Sequence, residues 1–390
     1  ETASTAGQFE YPTEAELFRY CTEALIRGED LPEQKEVSEK LRGEGDSLIV
    51  VRSDGILKVH VHTDEPKRVF AYLKTLGTLV TNKAEDMQAQ HAAAERAARG
   101  HLTLARRPVG IITDSASDLS EEIIRAHGIK VVPLVLVRGE ENLRDGLDIT
   151  AEEFHQALRE EGALPTTSQP APGAFVEAYR RAAEEAEAVV GVIVGSNLSG
   201  TFGSAKAAAF HFDAAPVHLV DSFGASLLQG LMVLKAAELA ELAQSPIEIV
   251  EELNRIRLQS GVFLTVDSLD RLLASGRVGR QKAWLARALG IKPVFLVPTD
   301  GRALEPVGRA LGRKRLLPAV MEALRKELPP RVEKIRFGVS HVGCPEIVAE
   351  VAGTLRAEYG DVEILSAPAT PVIATHTGIG AWGVAFLLED

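Results

Sequence analysis

The sequence predicts an α/β protein of two lobes, preceded by a small α+β domain. Three observations carry that prediction. From Val109 to Ala243, short β-branched runs alternate with helical patterns, which places a mostly parallel sheet between layers of helices. From about residue 246 a second set of strands and helices begins, a second α/β lobe on the same chain. Before Pro108, two strands joined at Asp54-Gly55 and flanked by helices form a unit of their own.

The elements follow in order. Residues 1–12 read as a linker, and the opening Glu-Thr-Ala-Ser-Thr-Ala-Gly, without an initial Met, leads us to expect a piece of a longer fusion. The small domain covers 13–100. Leu17–Arg27 fits helix or strand by period alone, and Pro32–Leu41 is a helix with Pro at its start. Ser47–Arg52 and Ile56–Thr63 are strands, Glu65–Leu76 is a helix closed by Gly77, Leu79–Lys83 is a strand and Glu85–Arg99 a helix. Residues 101–108, with Arg106 and Arg107, read as a second linker. The remainder, 109–390, divides into lobes of about 109–245 and 246–390. In the first, Val109–Ile112, Lys130–Val137, Val192–Val194 and Val217–Val220 are strands. Glu121–His127, Glu152–Glu160, Ala174–Glu187, Thr201–Phe210 and Ala225–Ala243 are helices. In the second, helices are expected at Pro246–Ser260, Leu269–Leu273, Ala283–Leu289, Arg315–Leu328 and Ile347–Tyr359. Its strands are Val262–Val266, Ile291–Val297, Leu304–Arg309 and the runs 335–340, 362–366 and 383–388.

Composition narrows the function classes. The chain has 390 residues, is 45% hydrophobic and 25% charged, and can bury substantial cores. A net charge of −12 argues against a general nucleic-acid binder, whose affinity comes from neutralising phosphates. Two cysteines, Cys21 and Cys344, imply no disulfide framework and make a reducing cytoplasm the default. There is no apolar run of membrane-spanning length and no signal-peptide pattern.

Several stretches hold candidate chemistry. Gly191–Ser204 reads strand, hydroxyl-rich turn, helix start, the place where an open α/β sheet presents a ligand site. Its free helix N–H groups attract an anion, with Ser196, Ser199 and Thr201 adding donors; an ordinary turn capped by serine fits equally. Thr166, Thr167 and Ser168 precede Gln169-Pro170 and are expected on a loop. His376 stands between threonines and before Gly378 and Gly380, as a donor to a carboxylate, a general base or a structural histidine. Lys58-Val59-His60-Val61-His62 puts two imidazoles on one strand face. With Cys21 they supply three zinc-type ligands, and water, His91, Asp64 or a ligand oxygen offers a fourth; a polar strand face without metal fits the spacing as well. Thr113-Asp114-Ser115 and Asp118 follow a strand and serve as caps, orienting groups or metal ligands. Arg277 and Arg280, with Arg309, Arg313, Lys314 and Arg315, form either a local basic face or solvated surface charge. A Gly-x-Ser-x-Gly elbow and a Gly-x-x-x-x-Gly-Lys loop are both absent from the sequence.

Taken together, 109–390 resembles the DegV family of bacterial fatty-acid-binding proteins. Ile-Ile-Thr-Asp-Ser-Ala-Ser-Asp-Leu at 111–119, Thr-Thr-Ser-Gln-Pro at 166–170 and Ser-Asn-Leu-Ser-Gly-Thr at 196–201 carry the likeness. Val-Asp-Ser at 220–222, Leu-Leu-Ala-Ser-Gly-Arg-Val at 272–278, Gly-Ile-Lys-Pro at 290–293 and Thr-His-Thr-Gly-Ile-Gly at 375–380 follow in the family's order. The resemblance implies a fatty acid buried between two α/β lobes, its carboxylate held by Thr167, Ser199 and His376. Asp114, Ser115, Ser168, Ser196, Gly200, Thr201 and Gly378 are then expected to support the pocket. The chain departs from the family at Gly195-Ser196-Asn197, where Ser-Ser-Lys is common.

Residues 13–100 resemble the middle domain of the catalytic component of fatty acid kinase, through Tyr20-Cys21-Thr22-Glu23, Gly45-Asp46-Ser47-Leu48, Lys58–Thr63 and Asp86-Met87-Gln88-x-Gln90-His91. This favours a strand around Cys21 and implicates Cys21, His60 and His62 in zinc binding and activity. The expected function is to bind a long-chain fatty acid and present it for ATP-dependent phosphorylation to an acyl phosphate. ATP and Mg²⁺ would come with a nucleotide-binding kinase domain, upstream or in trans, and the chain is not expected to be active alone. Catalytic candidates are Cys21, His60, His62 and Arg277. The rival readings are a non-catalytic lipid carrier or sensor and a zinc-dependent hydrolase built on the first domain. A homodimer stays open as the assembly.

Overall fold

The computed structural model describes residues 18–86 apart from 29 and 54, and 106–389 apart from 161–164, 279–290 and 303. Contacts divide the chain into two compact units, Glu1–Ala105 and Arg106–Asp390.

Among the described residues, the first unit is a four-stranded antiparallel sheet with two helices. Its strands are β1 (Tyr20–Arg27), β2 (Asp46–Ser53), β3 (Ile56–Thr63) and β4 (Thr78–Asp86), in the order β2-β3-β1-β4. The stretch that period left undecided is thus the strand β1. Period-two alternation buries Leu57, Val59 and Val61 with Ala24 and Ile26 on one face. Helices Gln34–Leu41 and Pro66–Leu76 cover that face with Val37, Leu41, Val69 and Leu73. Strand β4 continues through Asp86, so no helix starts at Glu85. The rest of the helix expected to Arg99, His91, and the linker at 1–12 lie outside the described residues.

The second unit begins with β5 (Arg107–Asp114), so Arg107 and Pro108 are strand rather than linker. It continues through β6 (Lys130–Val132), β7 (Val135–Arg138), β8 (Glu141–Arg144), β9 (Thr166–Ser168), β10 (Ala186–Ile193) and β11 (Val217–Asp221). Strands β11-β10-β5-β6 form the expected parallel sheet. The single strand expected over Lys130–Val137 is broken at Pro133, which has no N–H to donate, and its halves join different sheets. β7 pairs antiparallel with β8 and β9, so Thr166–Ser168 is a short strand and not a loop. Ala186 and Glu187, expected to end a helix, open β10 instead.

The last sheet has six strands: β12 (Gly261–Thr265), β13 (Ile291–Pro298), β14 (Glu305–Leu311), β15 (Ile335–His341), β16 (Glu363–Pro368) and β17 (Trp382–Leu388). Their order is β14-β13-β12-β17-β15-β16, antiparallel except for β15 with β16. Helix Leu227–Glu241 packs on β5 and β10 and also on β15 and β17. It is apolar on nearly every side because two sheets enclose it. Helix Pro246–Arg257 places Ile249, Leu253 and Ile256 in the same core. The helix expected at Ala283–Leu289 lies outside the described residues. A short helix at Pro371–Thr377 was not anticipated.

Candidate functional site

A cavity lies within the second unit, walled by residues of the six-stranded sheet, of β9, of the turn after β10 and of the helix Pro371–Thr377. Leu134, Val194, Val262, Leu264, Val342, Val372 and Trp382 make most of its wall apolar. Thr167, Ser199, Arg277 and His376 also line it, so three separate sequence motifs and one arginine share a wall.

Each polar group is set by the local fold. Thr167 sits on β9, opposite Leu136 of β7. Its Oγ1 lies 2.9 Å from His376 Nε2, a hydrogen bond whose donor depends on the tautomer. Ser199 lies in the turn after β10, where the Leu198 and Ser199 N–H groups donate to Gly195 O. Ser199 Oγ accepts from Thr201 N–H at 3.3 Å and shares a 2.8 Å bond with Thr201 Oγ1. The Gln169 side chain packs against Gly200 so closely that a Cβ there would overlap its Oε1. That contact ties the Thr167 segment to the Ser199 turn.

His376 is carried on Pro371–Thr377, whose start is held by buried carboxylates. Asp118 Oδ1 accepts from Thr370 N–H at 2.8 Å, and Asp145 Oδ1 accepts from Val372 N–H at 3.4 Å. Burial, with the Arg277 charge nearby, pushes His376 down to about 4, so the imidazole is neutral near pH 7. Arg277 donates from Nε to Leu198 O at 3.3 Å and from Nη1 to Ser275 O at 2.5 Å. Burial lowers its pKa, yet among the described residues no carboxylate pairs with it. The sequence left open whether this arginine was a surface charge; it is part-buried on the cavity wall. Arg280 lies outside the described residues.

The expected supporting residues stand behind or beside the cavity and do not line it. Asp114 is fully buried and accepts from Ala116 N–H at 3.0 Å and Val194 N–H at 2.8 Å, stitching β5 to the end of β10. Ser115 donates to Asp145 Oδ2 at 2.6 Å and accepts from Leu134 N–H. Ser168 and Ser196 are exposed, and Thr201 is buried in the start of its helix. Gly378 ends the helix Pro371–Thr377 at φ +80, with Arg271 packed against it. Desolvation raises Asp114 and Asp118 to about 6 and Asp145 to about 7. Sequence reasoning offered Asp118 as a cap without its distant partner and missed Asp145. An acid more than 200 residues from the helix it caps leaves no local signal.

In the first unit, antiparallel pairing sets Cys21 opposite His62 and Glu23 opposite His60. The ligand atoms of Cys21, His60 and His62 all lie within 4.8 Å of one another, on the sheet face away from the helices. Cys21 Sγ is 3.9 Å from His60 Nδ1. Glu23 Oε1 stands 3.3 Å from His60 Nδ1, and Asp46 Oδ1 stands 3.5 Å from His62 Nδ1. One thiol and two imidazoles are the donor set that zinc prefers, and carboxylates beside them orient such ligands. Asp64 instead accepts from Arg19 N–H, at 2.8 Å.

A family model described as "Uncharacterised protein, DegV family" matches residues 108–389. The chain belongs to the DegV family. A second model, for the FakA-like middle domain of fatty acid kinase, matches residues 17–94. Among DegV relatives, a DegV domain-containing protein of Deinococcus radiodurans is 36% identical over 71% of this chain and 97% of its own length. Protein DegV of Bacillus subtilis is 31% identical over 72% of this chain and 99% of its own length. Of solved structures, a DegV family protein from Thermus thermophilus, reported for its fatty acid binding, is 37% identical with a TM-score of 0.67. The match covers 73% of this chain and 100% of the Thermus chain. DegV from Bacillus subtilis, described as a fatty acid binding protein, is 30% identical with a TM-score of 0.66 over 72% of this chain and 99% of its own. Among the described residues no helix of this DegV protein is long and apolar enough to cross a membrane.

Proposed function

We propose that the DegV region binds one long-chain fatty acid and presents its carboxylate for phosphorylation to an acyl phosphate. The observation that carries this reading is the part-buried Arg277, without a carboxylate partner among the described residues, beside Thr167, Ser199 and a neutral His376 on the wall of a mostly apolar cavity. An acyl chain needs that apolar wall, and a carboxylate needs those donors. Hydroxyls and a neutral imidazole hydrogen-bond the anion, and the part-buried Arg277 guanidinium supplies the one opposing charge. The solved relatives that bind fatty acids share this fold.

The kinase part rests on the first unit's likeness to a fatty acid kinase middle domain. ATP and Mg²⁺ belong to a nucleotide-binding domain, on the same chain or in trans, which supplies the phosphoryl group. This chain's residues hold the attacking carboxylate oxygen in place, so their contribution to the rate is positioning. Cys21, His60 and His62 would hold zinc, whose role in the first unit is to fix β1 against β3. A coupled assay of ATP consumption tests the proposal, run on the full chain with a long-chain fatty acid, with and without an added kinase nucleotide-binding domain. Turnover that needs both lipid and domain is expected. A lack of turnover with bound lipid and added domain would leave a lipid carrier. Turnover by the chain alone would relocate the active site.

A further inference from the structure

The groups assigned to the carboxylate come from two lobes. Thr167 and Ser199 belong to the first, and His376 belongs to the second, on the helix Pro371–Thr377. Their meeting depends on how that helix is fastened to the first lobe. Its own sequence supplies little. Thr370 precedes it without a side-chain cap, and Pro371 has no N–H to bond. Three side chains of the first lobe grip its start instead. His155 Nε2 lies 2.9 Å from Ala369 O, Asp118 Oδ1 accepts from Thr370 N–H at 2.8 Å, and Asp145 Oδ1 accepts from Val372 N–H at 3.4 Å. The Gly343 N–H donates to His155 Nδ1 at 3.2 Å, so Nε2 carries the ring proton and donates to Ala369 O. Burial lowers the His155 pKa, which favours the neutral ring that this arrangement requires.

None of the three lines the cavity. Asp118 and Asp145 are each 2% exposed, and among the described residues no cation pairs with either. Carboxylates buried without a cation cost stability. Backbone strain adds to that cost. Ser226 donates to the other Asp118 oxygen from φ +58 and ψ −148, a region almost confined to glycine. Stability alone does not account for such a contact. What it holds is the segment that sets His376 Nε2 2.9 Å from Thr167 Oγ1.

We propose that Asp118, Asp145 and His155 are positioning residues for lipid binding, which set the affinity for the carboxylate by holding His376 against Thr167 across the lobes. The inference rests on the fatty-acid reading of the cavity. The test is a double-mutant cycle, read by calorimetric titration of the delipidated full chain with stearate, with circular dichroism as the check on folding. Asp118→Ala should weaken binding by about tenfold, the effect of losing one hydrogen bond to the carboxylate. In a His376→Ala background the same substitution should cost less than about twofold, because the group it positions is gone. Asp118→Asn should recover most of the loss, since its amide oxygen accepts from Thr370 N–H and its amide N–H donates to Ser226 Oγ. His155→Leu and Asp145→Ala should repeat the pattern, and they decide the question if Asp118→Ala does not fold. Equal penalties with and without His376 would make these residues general supports of the fold and overturn the inference. A folded Asp118→Ala protein that binds like the wild type would overturn it as well. Stearate binding that His376→Ala leaves unchanged would remove its premise while lipid binding stands. Failure of the wild type to bind stearate would remove the fatty-acid reading and this inference together.

Discussion

Replacing His376 with Ala should weaken fatty-acid binding by about tenfold to thirtyfold without unfolding the protein. The His376 ring lines the cavity and contacts Thr167 Oγ1 at 2.9 Å, so its loss removes one donor to the carboxylate and leaves the threonine without this partner. A hydrogen bond to a charged group contributes about 1.5–3 kcal/mol, or roughly tenfold to a little over a hundredfold. The lower part of that range applies because burial holds the imidazole near pKa 4, and no formal charge is lost at neutral pH. Arg277→Gln should cost more, since it removes the cation that no described carboxylate neutralises. Affinities would be measured by calorimetric titration of delipidated protein with stearate, with circular dichroism and melting temperature as checks on folding. A folded Ser199→Ala/His376→Ala double variant that binds stearate as tightly as the wild type would refute the assignment of these residues to the carboxylate.

Three further outcomes follow from the geometry. Elemental analysis should find about one zinc per chain, lost in Cys21→Ser and kept in Cys344→Ser, because only Cys21 lies beside His60 and His62; full stability and native spectra in metal-free protein would return the cluster to a polar strand face. Gly45→Ala should lower both zinc content and melting temperature, since a Cβ at Gly45 would overlap the carbonyl oxygen of His62 and push β3; normal zinc and an unchanged melt would show that β3 adjusts freely. Asp145→Asn should gain stability relative to wild type as pH rises from 3.8 to about 7. The sign follows from the raised folded-state pKa: the native state binds more protons than the unfolded state in that window, so wild-type stability falls with rising pH and the Asn variant lacks that fall. Parallel melts across that range check it, and a constant difference between the two proteins would contradict it.

Segments whose own residues specify them were legible in the sequence. Glu121–His127 and Thr201–Phe210 have the predicted limits, and β3 shows the alternation that puts His60 and His62 on one face. The motifs around Thr167, Ser199 and His376 were legible through the family likeness, and all three residues reach one cavity. What escaped depends on distant partners. The three residues of β9 read as a loop because Gln169-Pro170 follows them; two threonines suit a strand, but a run this short becomes one only by pairing with β7. Helix Pro371–Thr377 is short and contains three β-branched residues besides His376 after its first two positions, so its propensity is poor. Asp118 and Asp145 hold its first N–H groups from across the fold. The burial of Arg277 and the meeting of Ser226 with Ser340 likewise exist only once the two lobes pack.

Native mass spectrometry of the full chain, purified from cells without added lipid, tests the central claim most directly. The account predicts a noncovalent adduct with the mass of one long-chain fatty acid, absent under denaturing conditions and sharply reduced in the Ser199→Ala/His376→Ala variant. A wild-type protein that carries no such adduct, and takes none up when stearate is added, would contradict it.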